Sequence, residues 1–167
     1  MSVRSRVTRL AAPVWHRLGG RAQWALIWVT QPHFLVAVCG VVQDPEGRVL
    51  LLRARFWPRG SWGLPAGYVK HGETVQAALA REVREETGYA VAEVEILRVL
   101  SGYRRRVEFV CRARLAGGRK EVDPGEVLAL DWFPLAELPA GLLRTHVRHV
   151  EAAIGGADRR IRSDTIE

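Results

Sequence analysis

The sequence is poor in cysteine, methionine and lysine. Its 167 residues contain two cysteines and one methionine, and Lys70 and Lys120 are the only lysines. Two cysteines cannot build the disulfide framework of a small secreted protein. Because Cys39 and Cys111 both lie in apolar runs of strand length, we expect two reduced cysteines in the core and a cytoplasmic protein.

Long apolar runs are also missing. A membrane-spanning helix needs about 20 consecutive apolar residues, and the candidate at residues 24–42 is interrupted by the polar stretch 30–33. The beginning of the chain lacks the small-residue cleavage site of a signal peptide. The sequence shows no internal repeat and no linker, so we expect one domain without a membrane span.

Acidic residues are absent from residues 1–33, which carry several arginines without a partner of opposite charge. Residues 21–29 have the pattern of a short helix, so we expect a helical N-terminal extension. This extension either packs on the rest of the chain, or it presents the basic, tryptophan-bearing residues 1–30 to anionic lipid or to a second copy in a homodimer. The formal charge of +7 favours anionic partners such as phosphates, although we expect no stable nucleic-acid complex.

The most informative stretch is residues 67–89, which reads as a loop followed by a helix. Thr74 has the side chain of an N-cap residue, and Gly88 is suited to the position just after a helix. An apolar residue recurs every fourth position between them, at Val75, Leu79 and Val83. The pattern predicts a helix that packs one face on a core.

Three carboxylates share another face of that helix. Glu82, Glu85 and Glu86 are spaced i, i+3, i+4, close to the negative end of the helix dipole. Like charges in this position repel one another, and a divalent cation would relieve the repulsion, with Mg²⁺ or Mn²⁺ suited to carboxylate oxygens. From the helix alone, a solvated face paired with Arg81 and Arg84 is the competing interpretation.

The complete stretch resembles the Nudix box at each of its charged and glycine positions, which are Gly67, Glu73, Arg81, Glu82, Glu85, Glu86 and Gly88. Tyr89 departs from the pattern, because similar proteins usually have an aliphatic residue there. The resemblance covers residues 34–154 and implies an α/β fold, a Nudix-type α/β/α sandwich with a mixed β-sheet. Residues 1–33 and the polar tail 155–167, which we expect to fray, lie outside it.

The resemblance also implies an activity, the Mg²⁺-dependent hydrolysis of a nucleoside diphosphate linked to another moiety, with Mn²⁺ as a possible substitute. It assigns the metal to Glu82, Glu85 and Glu86 and to the carbonyl of Gly67. Catalysis is assigned to the same glutamates, and a further loop carboxylate is matched by Glu126. Similar proteins differ in which carboxylate accepts the proton of water, and we expect Glu82 to do so here. In similar proteins the counterparts of Glu73 and Arg81 brace the loop against the helix. We assign a structural role to Glu73, Arg81 and Gly88 on this basis.

The substrate within this class stays open. Residues 65–67, Pro-Ala-Gly, favour nucleoside diphosphate sugars such as ADP-ribose, since similar proteins often carry this triplet there. The alternatives are an oxidised nucleoside triphosphate, and a non-catalytic Nudix module that binds a nucleotide and regulates a partner. Such modules are expected to lose a charged box position, and this chain keeps them all.

Basic and aromatic residues outside the box are candidates for substrate binding. Guanidinium groups bind phosphate and aromatic rings stack on bases, but the same residues are equally suited to an outer face or a loop. The candidates are Arg53, Arg55, Trp57, Arg59, Tyr103 and Arg104.

The remaining pattern predicts the other elements. Residues 34–42 and 48–55 read as a β-hairpin around the turn 44–47. Further strands are predicted over residues 91–100, 107–115 and 127–133, and a helix over residues 143–154. His146 and His149 lie i, i+3 on that helix, and we interpret them as a surface pair because no third soft ligand is near in the sequence.

Overall fold

The computed structural model describes residues 12–13, 15–154 and 162–165, with the backbone alone at Tyr103 and at 162–165. The chain divides into a first unit that ends at Phe34 and a second unit that begins at Leu35. In the first unit, helix α1 spans Gly20–Thr30 and none of its residues is buried. The predicted helical extension is therefore confirmed over these residues, and no helix in the described part of the chain is long and apolar enough to cross a membrane.

The second unit is built on a mixed sheet of seven strands, in the order β6-β2-β1-β5-β4-β7 with β3 beside β1. The strands are β1 (Leu35–Gln43), β2 (Val49–Ala54), β3 (Ala66–Tyr68), β4 (Tyr89–Tyr103), β5 (Arg106–Gly118), β6 (Val127–Phe133) and β7 (Arg162–Thr165). Two helices, α2 (Val75–Thr87) and α3 (Arg144–Ile154), and a 3₁₀ helix at Leu135–Glu137 complete the unit.

Strand β1 lies inside the sheet because its run of valines and small residues is apolar on both faces. It pairs antiparallel with β2 and parallel with β5. The predicted hairpin is confirmed, and its turn is fixed by Asp44, whose carboxylate accepts hydrogen bonds from the backbone and the guanidinium of Arg48. Gly47 supplies the left-handed conformation of the turn, with φ of 77°.

Each face of the sheet is covered by one helix. Val38 and Val42 of β1 pack with Leu79 and Val83 of α2 in one core cluster. The alternate residues of β1, such as Cys39, pack with α3 in a second cluster. Because neighbouring residues of a strand point to opposite faces, β1 contributes to both cores, and the predicted α/β/α sandwich is confirmed.

The structure differs from the predicted elements at several ends. Strand β3 lies in what the sequence suggests is a loop, and β4 and β5 extend beyond residues 91–100 and 107–115. The connection between them shortens to Arg104 and Arg105, which both have positive φ. Residues 162–165 of the tail form β7 beside β4, because strand pairing satisfies their backbone groups; the rest of the expected frayed tail lies outside the described residues.

Candidate active site

Helix α2 positions the acidic side chains of the candidate site. Its first turn is capped by Thr74, whose hydroxyl accepts a hydrogen bond from the backbone of Ala77 at 3.1 Å. It ends at Gly88, which adopts the left-handed conformation with φ of 77°. Leu79 and Val83 are fully buried, so the helix is fixed at both ends and along one face.

Arg81 connects this helix to the preceding loop. Its Nε and Nη2 donate to the two carboxylate oxygens of Glu73 at 2.7 and 3.0 Å, and Nη2 also donates to the Tyr68 carbonyl at 2.9 Å. Its Nη1 donates to Glu82 at 2.7 Å and to Glu85 at 2.9 Å. The hydrogen bonds from Arg81, followed by that from the Lys70 backbone, lower the pKa of Glu73 to about 2. The guanidinium therefore joins the loop to the helix and orients two of the three glutamates.

Glu82 lies directly against the backbone of Gly67. A Cβ atom at residue 67 would overlap the carboxylate of Glu82, so only glycine fits beside it in this arrangement. The glutamate itself is largely buried, with 15% of its side chain exposed. This contact brings the Gly67 backbone next to a carboxylate, and the binding of one cation by both residues stays a prediction.

Glu86 is a partly buried acid that faces the backbone of β3. Its Oε2 accepts a hydrogen bond from the backbone of Ala66 at 3.2 Å. Burial, helped by the neighbouring carboxylates of Glu82, Glu126 and Glu85 and opposed by that hydrogen bond, raises the pKa of Glu86 to about 8. Carboxylates from the helix and from a distant loop therefore act on Glu86, although the four residues span 44 positions in the sequence (126 − 82).

This donor set fits a hard divalent cation. Carboxylate and carbonyl oxygens are the ligands that Mg²⁺ and Mn²⁺ prefer, and a cation would stabilise the ionised form of Glu86, which burial and then the neighbouring carboxylates disfavour. Within the described residues, the ligand atoms of Glu82, Glu85 and Glu86 do not all approach within 4.8 Å of one another. Arg81 Nη1 binds one oxygen of Glu82 and one of Glu85, so it holds these two carboxylates beside each other in the place where a cation would lie.

The loop that carries Glu126 is held by Arg55. The guanidinium of Arg55 donates to the carbonyls of Gly125 and Pro124 at 2.9 and 2.7 Å, and its backbone donates to the Glu126 carbonyl at 2.8 Å. Three of its N–H groups thus orient this loop. The contact explains how residue 126 comes near α2, and it gives Arg55 a bracing role besides the predicted phosphate binding.

The other substrate-binding candidates lie in different parts of the second unit. The guanidinium of Arg53 stacks over the ring of Trp62 at 5.9 Å. Trp57 packs against the core cluster of α2, and Arg59 is exposed in the following loop. Arg104 is exposed in the turn between β4 and β5. The side chain of Tyr103 lies outside the described part of the chain, and phosphate or base contacts of all these residues stay predictions.

The structure adds one pair near the site that the sequence interpretation missed. The guanidinium of Arg106 lies 5.8 Å from the ring centre of Tyr68, which follows Gly67 and is 52% exposed. The two residues meet because β3 and β5 both pair with the beginning of β1. The sequence gave little indication of this contact, because Arg106 ends the arginine triplet at residues 104–106, and such a triplet is typical of a solvated turn.

The interpretation of the two histidines of α3 as a surface pair is wrong. His146 and His149 are 9% and 3% exposed, respectively. His146 accepts a hydrogen bond at Nδ1 from the backbone of Leu64 at 2.9 Å, and burial lowers the pKa of each histidine to about 4. The helix packs flat on the sheet, so residues three positions apart point into the core together.

The two cysteines are buried and unpaired, as predicted.

Comparison with known proteins agrees with this geometry. The NUDIX domain family matches residues 33–153 of the chain. A MutT-like protein of Streptomyces ambofaciens is 31% identical over 146 residues, which cover 83% of this chain and 93% of that protein. The human 8-oxo-dGDP phosphatase NUDT18 is 38% identical over 118 residues, which cover 68% of this chain and 36% of that protein.

The likeness extends to solved structures. The crystal structure of a NUDIX hydrolase from Nitrosomonas europaea superimposes with a TM-score of 0.69 and 27% identity, covering 81% of this chain and 80% of that one. The chain nevertheless spans only about a third, from 32% to 36%, of the length of the first curated relatives that it matches.

Proposed function

Because the chain belongs to the NUDIX domain family, we propose that it is a Mg²⁺-dependent hydrolase of a pyrophosphate bond in a nucleoside diphosphate linked to another moiety. The observation that carries this proposal is the contact of the Glu82 carboxylate with the Gly67 backbone, beside the buried carboxylate of Glu86 on the same helix face. The complete box and the Arg81 network support turnover over a binding role alone.

Glu82, Glu85, Glu86 and the carbonyl of Gly67 would hold the ion. The chemistry supplied by a bound divalent cation is neutralisation of charge on the phosphoryl oxygens and a lower pKa of water. Mn²⁺ is an expected substitute, because it accepts the same oxygen donors.

The residues of the chain position the reactants and move the proton. Arg81 orients Glu82, and Glu82 accepts the proton of the attacking water as a general base. The water oxygen forms a bond to phosphorus while the bridging P–O bond breaks, and the electron pair of that bond leaves with the second phosphate. Arg55 keeps Glu126 near this reaction by holding its loop.

Two substrates have specific support. The triplet Pro65-Ala66-Gly67 resembles that of proteins acting on nucleoside diphosphate sugars, and its Ala66 backbone binds Glu86. ADP-ribose is therefore the first candidate. The second is an oxidised nucleotide, supported by the 38% identity to the human 8-oxo-dGDP phosphatase.

A panel of nucleotides with Mg²⁺ tests the proposal, with released phosphate and pyrophosphate measured separately. Cleavage of ADP-ribose or of a nucleotide sugar yields two monophosphates and releases neither free phosphate nor pyrophosphate. An added phosphatase converts these monophosphates to phosphate, which is then measured. An oxidised nucleoside diphosphate yields phosphate directly, and a triphosphate yields pyrophosphate. The product pattern therefore identifies both the cleaved bond and the substrate class. Absence of turnover on the whole panel with Mg²⁺ and with Mn²⁺ would contradict the proposed enzyme.

A further inference from the structure

A second group of metal-ligand side chains lies on the other face of the sheet. Cys39 of β1, Glu108 of β5 and His149 of α3 place their ligand atoms within 4.8 Å of one another. All three are buried, with exposures of 0%, 9% and 3%. We refer to these three residues as the thiol cluster. Its residue Cys39 belongs to the core that packs on α3, whereas α2 packs on the other face of the sheet, although the charge of Glu86 still acts on the Cys39 thiol.

His149 is left without a hydrogen bond in this cluster. Both of its ring nitrogens are inaccessible to solvent and have no hydrogen-bond partner among the described residues. A buried polar group without a partner costs about 1–3 kcal/mol, so native proteins usually provide one. His146, one turn earlier on the same helix, shows the usual solution by accepting from the Leu64 backbone. The difference between these neighbours indicates a missing partner at His149.

We propose that the thiol cluster binds a transition-metal ion of the Zn²⁺ type, which ties α3 to the two central strands of the sheet. A thiolate, an imidazole and a carboxylate are the common protein ligands of Zn²⁺. Sulfur is a poor ligand for Mg²⁺, so the cluster selects a different ion from the glutamates of α2. Three protein ligands leave a fourth position of a tetrahedral site for water.

The charges around the thiol cluster are compatible with an ion. One carboxylate oxygen of Glu108 accepts a hydrogen bond from Arg106 at 2.9 Å, which leaves the second oxygen for a metal. Two guanidinium groups count against a cation, that of Arg106, which acts on Cys39, and that of Arg98, which acts on His149. Cys39 in its thiolate form and Glu108 together supply two negative charges, which match a divalent ion. The ion takes the place of the thiol proton, so binding releases one proton.

Cobalt is a suitable probe, because a thiolate bound to Co²⁺ gives a charge-transfer band in the near ultraviolet that oxygen ligands do not give. The full chain is produced in cells grown with Co²⁺, so that the buried site fills during folding. Dialysis against EDTA then removes ions from the solvent-accessible carboxylates. We expect one retained cobalt per chain and a thiolate band.

Two cysteine variants form a matched pair. Cys39→Ala removes a ligand, whereas Cys111→Ala removes an equally buried thiol from the core on the other side of the sheet. We expect loss of the cobalt and its band in the first variant and retention in the second. Glu85→Gln should also retain both, because it alters only the other site. A wild-type protein that holds no cobalt after dialysis, or a band that survives Cys39→Ala, would overturn the proposal.

Anomalous diffraction from the cobalt-grown wild-type protein provides a measurement that does not depend on whether a variant folds. The proposal requires a peak in contact with Cys39 Sγ, with a carboxylate oxygen of Glu108 and with one ring nitrogen of His149. A map without a peak between these atoms would also overturn it. The result is independent of the proposed hydrolase activity, since no substrate enters the experiment.

Discussion

The carboxylate cluster (Glu82, Glu85, Glu86 and Glu126) and the thiol cluster differ in almost every physical property. The carboxylate cluster has oxygen donors only, and Glu85 is 53% exposed. The thiol cluster is buried and combines sulfur, nitrogen and oxygen. Hard oxygen donors of which one is exposed suit an ion that must meet a diphosphate and exchange. Buried mixed donors suit an ion that stays and stabilises the fold. The difference indicates that one sheet can support a reaction on one side and its own structure on the other.

The largest effect is expected when one glutamate of the carboxylate cluster loses its charge. Glu85→Gln or Glu86→Gln should lower kcat by about 10²–10³-fold, because each removes a ligand that acts on the transition state. Glu151→Gln, at an exposed position of α3, serves as the control and should retain activity. Steady-state rates with saturating Mg²⁺ measure the effect. Wild-type rates in both variants would remove the carboxylate cluster from the mechanism.

A smaller loss of activity is expected from Gly67→Ala. The added methyl group overlaps the Glu82 carboxylate, so one of the two must move, and a displacement of about 1 Å in an active site can cost 10²-fold. Gly20→Ala on α1 is the matched control, because a methyl group at residue 20 would meet no atom within 4 Å. Measurements of kcat/KM with both metals test this. Unchanged values for Gly67→Ala would show that the close contact has no role in catalysis.

The free energy of unfolding should depend on pH through His146, which is buried in the core beneath α3. Burial lowers the pKa of His146 from 6.5 to about 4, so between these values the unfolded chain binds the extra proton and the folded chain does not. Stability should therefore fall as the pH drops from 6.5 towards 4, by about 1.4 kcal/mol per pH unit for this histidine.

The variant His146→Asn tests this slope, because Asn keeps an acceptor for the Leu64 backbone but does not titrate. Urea unfolding of chelator-treated protein at several pH values should give a shallower dependence for the variant than for the wild type. Identical slopes would mean that His146 is protonated in the fold, contrary to its buried position.

The smallest effect on catalysis is expected from the first unit. Trp24→Gln combined with Trp28→Gln should leave kcat/KM within about twofold, because α1 contributes no residue to either cluster. Association with a second copy or with anionic vesicles should weaken instead, since both side chains are exposed. Analytical ultracentrifugation and vesicle sedimentation measure these properties. A large loss of activity with unchanged association would show that these tryptophans act in catalysis and not in association.

The carboxylate cluster could be predicted because most of it is local in the sequence. Helical spacing alone places Glu82, Glu85 and Glu86 on one face, and the caps at Thr74 and Gly88 are short-range signals. The hairpin, α2, β6 and α3 were predictable for the same reason. Glu126 was a weaker prediction, since its approach depends on the Arg55 contact with a loop 70 positions away.

The thiol cluster could not be predicted, because its residues come from three elements that only the tertiary fold brings together. The parallel pairing of β1 with β5 places Glu108 beside Ala37, which lies on the same face of β1 as Cys39. The packing of α3 then adds His149. No local pattern contains these pairings. The histidines were interpreted as a surface pair because no third soft ligand is near in the sequence, whereas tertiary packing buries both. Long-range strand order is the information that was missing.

Anomalous diffraction from crystals soaked in Mn²⁺ tests the central claim, that the glutamates of α2 hold a divalent cation, most directly. We predict a peak within bonding distance of carboxylate oxygens of Glu82, Glu85 and Glu86, with Arg81 withdrawn from at least one of them. A map in which Arg81 keeps its bonds to Glu82 and Glu85, and no peak lies between the three carboxylates, would contradict the account.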